Sequence, residues 1–387
     1  MASDEKVAVV LAGAGARGAY EAGVLSVLLP ALAERGVEPR IYVGTSAGAV
    51  NATLLTALSH LEPWPATGEL LNAWRSIDWR EVFRPPWLTA PRTGLSYLAE
   101  VLSLPRPRLT SLLDTSPLRA AADRRIDWAQ LHENVATGRI EALAVVTTDA
   151  RGRTVVFVER SGGDPLPPTD PDRAIDYVGT QLDPSHVLAS AAIPIAFPAQ
   201  RVDTPREVSG WYTDGGDRLN APLKPALALG AGRLVVAATH PATYADPQPS
   251  SGTLPQPEID DLAVQVLEAV LVDRMVEDIR TLGKINELVA DRPHPAYRLV
   301  PYLFVGPHRR SDLGEVAQDV FDERFGGWQG SLRSVGSPFP LLRRLLASTD
   351  GPRAGDLLSY LFFDPAFCER AIALGRVHAE EALDGAR

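Results

Sequence analysis

A chain of 387 residues, 45% of them hydrophobic, can bury a substantial core as one large domain or as a domain with an appended lobe. The formal charge of −10 argues against nucleic-acid binding and against electrostatic capture by anionic head groups, so any membrane contact must be mainly hydrophobic. The single cysteine, Cys368, excludes an intramolecular disulfide, and no uninterrupted apolar run approaches the roughly 20 residues that a spanning helix needs. With a polar start, Met1 to Lys6, that offers no secretory core, the expected location is cytoplasmic, with at most peripheral contact at a membrane.

The first element is an apolar strand, Val7 to Ala12, which runs into Gly13-Ala14-Gly15-Ala16-Arg17-Gly18 and then a helical pattern from Ala19 to about Leu32. Backbone N–H groups in such a loop can converge on an anion, whether a phosphate or the oxyanion of acyl transfer. The six residues also spell G-x-G-x-x-G, the dinucleotide fingerprint. That reading needs a carboxylate at the end of the second strand, to hold the ribose hydroxyls. Glu38 has about the right spacing but precedes the strand, and the strand's end carries Gly44-Thr45-Ser46 instead, so nucleotide binding is disfavoured. A plainer reading remains, in which the glycines only let the first helix pack closely on the first strand.

The second strand, Arg40 to Val43, turns directly into Gly44-Thr45-Ser46-Ala47-Gly48 and a helix, Ala49 to Leu55. This is a G-x-S-x-G nucleophile elbow in its expected context. The sharp turn would lift the Ser46 hydroxyl clear of the chain, and the helix dipole would favour negative charge developing beside it. The stretch from about Trp64 to Arg125 reads as irregular, with Trp74, Trp79, Phe83, Trp87, Leu88, Leu95, Tyr97 and Leu98 among several prolines. Most of these are expected to pack a lobe onto the sheet, and a few to line a lid or an acyl pocket. Strands at Ala142 to Thr147 and Thr154 to Val158 flank a turn at Ala150-Arg151-Gly152, which makes the fold class α/β. Further on, Trp211-Tyr212-Thr213-Asp214-Gly215-Gly216-Asp217 is a turn by default. Beside an exposed serine and an oxyanion loop, however, Asp214 becomes the natural candidate for a base.

In this order the three elements resemble the patatin-like phospholipases, whose pattern is a G-G-G-x-[RK]-G loop, a G-x-S-x-G serine and a D-G-G/A aspartate. The segment Ala189 to Pro198 is also similar to the proline-containing stretch before that family's aspartate. The likeness covers roughly Val7 to Pro222. It implies a three-layer α/β/α sandwich with a largely parallel central sheet and additional C-terminal helices. Residues 5–225 would form the catalytic core, including the aromatic insertion at about 64–125. Residues 226–387 would form a mostly helical extension packed on it. By position, Ser46 is the nucleophile, Asp214 its base, Gly13, Ala14 and Gly15 the oxyanion loop, and Arg17 the loop's basic residue. Gly18, Gly44, Gly48, Gly215 and Gly216 support these motifs. One departure is visible: Ala14 replaces the middle glycine, which is harmless at ordinary backbone angles and unfavourable at positive φ.

The family uses a dyad with no histidine. Aspartate is a poor base in water, with a pKa of about 3.9, but burial raises it and the oxyanion donors carry much of the barrier lowering. The implied reaction is attack by Ser46 on a lipid ester, phospholipid or lysophospholipid, through an acyl-serine, with no cofactor and no metal. One alternative is a triad with His240, which follows the apolar run Leu234 to Thr239 and so lies at a strand end after both Ser46 and Asp214. The other is a noncatalytic binding or regulatory protein of the same fold. The remaining histidines, among them His60, His132, His186 and His308, show no pairing in sequence that suggests a metal site. Residues 246–257 read as a Pro- and Ser-rich linker, 259–290 as a surface-packed helix, and Tyr302 to Val305 as a strand. The tail from 341 to 386 reads as largely helical with a fresh start at Asp364-Pro365, and 355–359 have too little pattern to assign.

Overall fold

The computed structural model describes residues 5–84, 111, 113–163, 165–242, 273–290, 294, 297–325, 339 and 354–385. Trp87, Leu88, Leu95, Tyr97 and Leu98, the linker at 246–257, residues 259–272 and residues 341–353 lie outside these.

Among the described residues, the core is one nine-stranded sheet: β1 (Val7–Leu11), β2 (Ile41–Thr45), β3 (Ala142–Asp149), β4 (Thr154–Arg160), β5 (Ile175–Gly179), β6 (Gln200–Val202), β7 (Gly210–Asp214), β8 (Arg233–Ala237) and β9 (Tyr302–Val305). The main order is β5-β4-β3-β2-β1-β8-β9. Strands β3, β2, β1, β8 and β9 run parallel to one another, β3 and β4 form an antiparallel pair about the Ala150 turn, and β4 and β5 are parallel. β1 and β2 are buried along their whole length, as a parallel sheet covered on both faces requires. Their near-continuous apolar runs are what made them legible as strands.

Helices α1 (Gly18–Glu34), α2 (Ala47–Leu58), α3 (Pro63–Arg75), α4 (Trp79–Val82), α5 (Ser116–Arg125) and α6 (Trp128–Ala136) come from the first half. The second half supplies α7 (Pro184–Ser190), α8 (Gly216–Leu219), α9 (Leu223–Ala228), α10 (Asp273–Ala290), α11 (Asp312–Phe325), α12 (Ala354–Leu361) and α13 (Pro365–Gly385). Two large apolar clusters divide between the faces of the sheet, one containing Val9, Leu11 and Val145 and the other Ala8, Val10 and Val146. This is an α/β/α sandwich with a largely parallel sheet. No described helix is long and apolar enough to cross a membrane.

One expectation is corrected, and one unassigned stretch takes a definite form. Where described, the segment from Trp64 to Arg125 is mostly helical, in α3, α4 and α5, because Pro63 opens α3, Asp78 caps α4 through the Arg80 N–H, and Pro117 lies in the first turn of α5. Pro63, just before the segment, and Pro117, inside it, both stand at helix starts. Residues 355–359, which showed no pattern, lie inside α12, a helix held by tertiary partners described below. α13 packs on α1 at backbone contact: a Cβ on Gly23 would lie 2.2 Å from the Ile372 carbonyl oxygen, and one on Gly375 would lie 2.2 Å from that of Tyr20. Reciprocal glycines thus seat the C-terminal helix on the helix that leaves the glycine loop.

Candidate functional site

The register of the parallel strands puts several loops at one edge of the sheet. Leu11 of β1 pairs with Gly44 of β2 and with Ala237 of β8, so the glycine loop, the Ser46 turn and the residues before His240 all leave the sheet at one level. At the first of these turns Ser46 adopts φ 53°, ψ −124°, a conformation costly for a residue with a Cβ, between β2 and the first residue of α2. The turn closes because Gly44 and Gly48 meet face to face: a Cβ on Gly44 would lie 2.3 Å from the Gly48 carbonyl oxygen, and one on Gly48 2.5 Å from that of Leu11. The Ser46 N–H donates to Ser190 Oγ at 2.8 Å, and Ser190 Oγ donates to the Val146 carbonyl at 2.6 Å. Ser46 Oγ does not cap α2. Ser190 was not singled out in the sequence; it sits at the end of α7 in the proline-containing stretch, where only the fold shows that it braces the elbow.

Asp214 reaches the same place by a different route. β3 pairs through Ala142–Val146 with β2 on one side, and through Ala142–Thr148 with β4 on the other. β7 then pairs antiparallel with Thr147–Asp149, so it must occupy the lane of β2 beyond that strand's end at Thr45. Running toward β2, it ends at Asp214, opposite Thr147, while Thr45 is opposite Val146. Ser46 and Asp214 therefore meet end to end in one lane of the sheet, and both are 4% exposed. The Asp214 N–H donates to the Ala192 carbonyl, and its Oδ1 accepts the Gly216 N–H at 2.7 Å. Gly215 packs against the Val146 backbone, too close for a side chain.

The glycine loop lies against the elbow, since a Cβ on Gly13 would sit 2.7 Å from that of Ser46. Ala14 has φ −167°, outside the positive-φ region that favours glycine, so the departure from a glycine triplet meets no left-handed backbone penalty. Gly15 has φ +56°, and a Cβ there would lie 2.2 Å from the Tyr360 carbonyl oxygen. The Gly13 N–H donates to Asn220 Oδ1 at 2.9 Å. Gly18 begins α1, and its carbonyl accepts from Asn51 Nδ2.

Arg17 makes its side-chain contacts with helix α12 and with His240. It is 1% exposed and enclosed by α12: Nε donates to Ser359 Oγ at 2.7 Å, Nη2 to Asp356 Oδ1 at 3.1 Å and to its carbonyl at 3.2 Å, and the guanidinium lies 4.2 Å from the Tyr360 ring centroid. His240 shares this nest. Its Nε2 lies 3.1 Å from Arg17 Nη1 and 2.8 Å from the Tyr360 hydroxyl, and Nδ1 lies 3.3 Å from Thr239 Oγ1. Burial and the neighbouring Arg17 hold the imidazole well below its ordinary pKa, hence neutral. These contacts occupy both ring nitrogens, and neither Ser46 nor Asp214 is among them.

A cavity of about 110 Å³ opens on Ser46 and is lined by Val50, Leu54, Trp74, Ile193, Phe197 and Phe363, among others, with very little polar surface. Of the aromatics noted in the sequence, Trp74 lines it, while Trp79 and Phe83 are core residues. Beneath it runs a polar chain: Trp74 Nε1 donates to Asn51 Oδ1 at 2.7 Å, and Asn51 Nδ2 donates to Glu21 Oε2 at 3.0 Å. Glu21 is fully buried and its Oε1 has no partner among the described residues. Burial raises its pKa well above the carboxylate range, so folding retains a proton that the unfolded chain releases above about pH 4.3. Stability from this group is complete below that value and is lost as pH rises through the folded-state pKa. Glu21→Gln should therefore match the wild type near pH 4 and melt several degrees higher at pH 8. Parallel thermal melts at the two pH values test this, and an equal shift at both would contradict a buried neutral carboxyl.

The family model for patatin-like phospholipases matches residues 9–227. Among solved structures, the chain is similar to VipD of Legionella pneumophila, at 13% identity and a TM-score of 0.37, over 99% of this chain and 67% of that one. No curated protein matches it.

Proposed function

The chain belongs to the patatin-like phospholipase family, a family of lipid acyl hydrolases, and from that premise we propose that it is a serine hydrolase of lipid carboxylic esters working through a Ser46/Asp214 dyad. The observation that carries the reading is the strained Ser46, held at positive φ at the mouth of an apolar cavity and end to end with Asp214. An ester whose acyl chain lies along Val50, Leu54 and Phe197 presents its carbonyl carbon to Ser46 Oγ. Asp214 takes the hydroxyl proton as the C–O bond forms, and returns it to the leaving alcohol when the tetrahedral intermediate collapses to acyl-serine. Water attacks the acyl-serine carbonyl carbon as Asp214 takes its proton, the acyl C–Oγ bond breaks as that proton returns to Ser46 Oγ, and fatty acid leaves. With Gly13 engaged by Asn220, the Ala14 and Gly15 N–H groups and the N-terminus of α2 are the donors assigned to the oxyanion. The neutral His240, committed to Arg17, Tyr360 and Thr239, weighs against a triad.

Phospholipid or lysophospholipid acyl chains are the favoured substrates, because the cavity offers an acyl chain apolar walls and offers a polar group little. Ile195, 78% exposed at φ +70° between the lining residues Ile193 and Phe197, fits transient contact with a lipid surface. Free fatty acid release from phospholipid, lysophospholipid, triacylglycerol and short nitrophenyl esters tests the proposal. Release from at least one acyl lipid is expected, and a folded protein inert on all of them would favour a binding role. If the cavity holds the acyl chain, Leu54→Trp should lower kcat/KM for long chains about 10- to 100-fold relative to butyrate esters. Equal loss on both chain lengths would place the chain elsewhere.

A further inference from the structure

His308 offers no partner in sequence, yet the fold sets it against α13, 70 residues on. Its ring stacks on that of His378 with centroids 4.1 Å apart, and its Nε2 lies 3.2 Å from Glu381 Oε2. One ligand atom from each of His308, His378 and Glu381 lies within 4.8 Å of the other two. His378 is 6% exposed, and its Nδ1 lies 2.9 Å from the hydroxyl of Tyr20, itself fully buried on α1. His308 and Glu381 face solvent, with side chains 62% and 55% exposed.

We propose that His308, His378 and Glu381 form a binding site for a zinc-class divalent cation, in which Tyr20 is the positioning residue that aims His378. Two imidazoles and one carboxylate are a ligand set that Zn²⁺ accepts, with water in the fourth position. Ligand atoms about 2.0 to 2.1 Å from a tetrahedral ion are roughly 3.3 Å from each other. The His308 to Glu381 distance already meets this, and the two exposed side chains are free to rotate toward His378. In the tautomer that donates Nδ1–H to the Tyr20 oxygen, His378 keeps its Nε2 lone pair for the ion, the outer-shell arrangement that fixes the tautomer of metal-bound histidines. The bound ion ties the loop after β9 to α13 and, through Tyr20, to α1. It acts as a structural staple across the C-terminal helix, and the proposal does not depend on the hydrolase reading.

The test is calorimetric titration of chelator-treated, folded full-length protein with Zn²⁺, beside melting curves with and without the metal. The expected result is one Zn²⁺ per chain and a rise in Tm. His308→Ala and Glu381→Ala should each weaken binding at least tenfold, and Tyr20→Phe about tenfold. Both alanine variants alter exposed residues, so folding is not at issue for them. Co²⁺ in place of Zn²⁺ should show the visible absorption of a four-coordinate site in the wild type and lose it in both alanine variants. Failure to bind Zn²⁺ stoichiometrically would overturn the proposal, as would equal binding by the wild type and both alanine variants.

Discussion

Replacing Ser46 by Ala should reduce ester hydrolysis by at least about 10⁴-fold in kcat, leaving the melting temperature unchanged. No stability is lost at the turn, since alanine tolerates φ 53° no worse than serine and the Oγ does not cap α2. Asp214→Asn should lose activity on a similar scale while keeping the Gly216 N–H bond through its amide oxygen. A fluorophosphonate probe should label the wild type at Ser46 and fail to label Ser46→Ala. His240→Gln is the discriminating control: glutamine still offers Arg17 an acceptor, so activity should stay within about tenfold of wild type. If His240→Gln were as inert as Ser46→Ala while Asp214→Asn stayed active, the base would be the histidine and the dyad reading would fail.

The second large effect concerns Arg17. Arg17→Met should destabilise the protein by about 3 to 5 kcal/mol, because it removes the guanidinium that pairs with the Asp356 carboxylate, and its bond to Ser359, in a nearly closed nest. At this chain length that corresponds to a drop in Tm of roughly 4 to 6 °C. The same change should lower kcat more than it raises KM. The Tyr360 carbonyl abuts Gly15, and Asp356, Ser359 and Tyr360 reach the loop through the one guanidinium, so loosening α12 releases the backbone that aims the oxyanion donors. Asp356→Asn, which keeps a side-chain oxygen for Nη2, should cost much less on both counts. Urea melts and initial rates, taken where each variant is fully folded, separate the two effects. A destabilised Arg17→Met with unchanged kcat would show that α12 supports the fold without shaping the site.

The expected elements and their observed spans differ in ways that share a cause. Tyr302–Val305 and the Pro365 start of the last helix appear where the pattern places them, since an apolar run and an N1 proline are local signals. Strand β2 extends to Thr45 and α2 starts at Ala47, so the elbow is tighter than the pattern indicates; its sharpness comes from Gly44 and Gly48 packing against each other and against β1. α12 has a sequence, Ala-Gly-Asp-Leu-Leu-Ser-Tyr-Leu, with an early glycine, yet it is a helix because Arg17 satisfies its polar face and Gly15 admits its backbone. His308 and His378 likewise look unrelated until α13 docks on α1.

By itself, then, the sequence determined which segments are buried strands, where the chain turns at glycine, and which serine and aspartate stand in a family pattern, because hydrophobic periodicity and backbone freedom act over a few residues. Only the tertiary structure decided which lane β7 occupies, and hence that Asp214 ends against Ser46. It also turned Arg17 toward the C-terminal helix, tied His240 to that helix, and set two histidines and a glutamate around one point. Each of these depends on a strand pairing or helix contact between residues far apart in the chain, and such contacts form from the packing of whole surfaces, which no local pattern encodes.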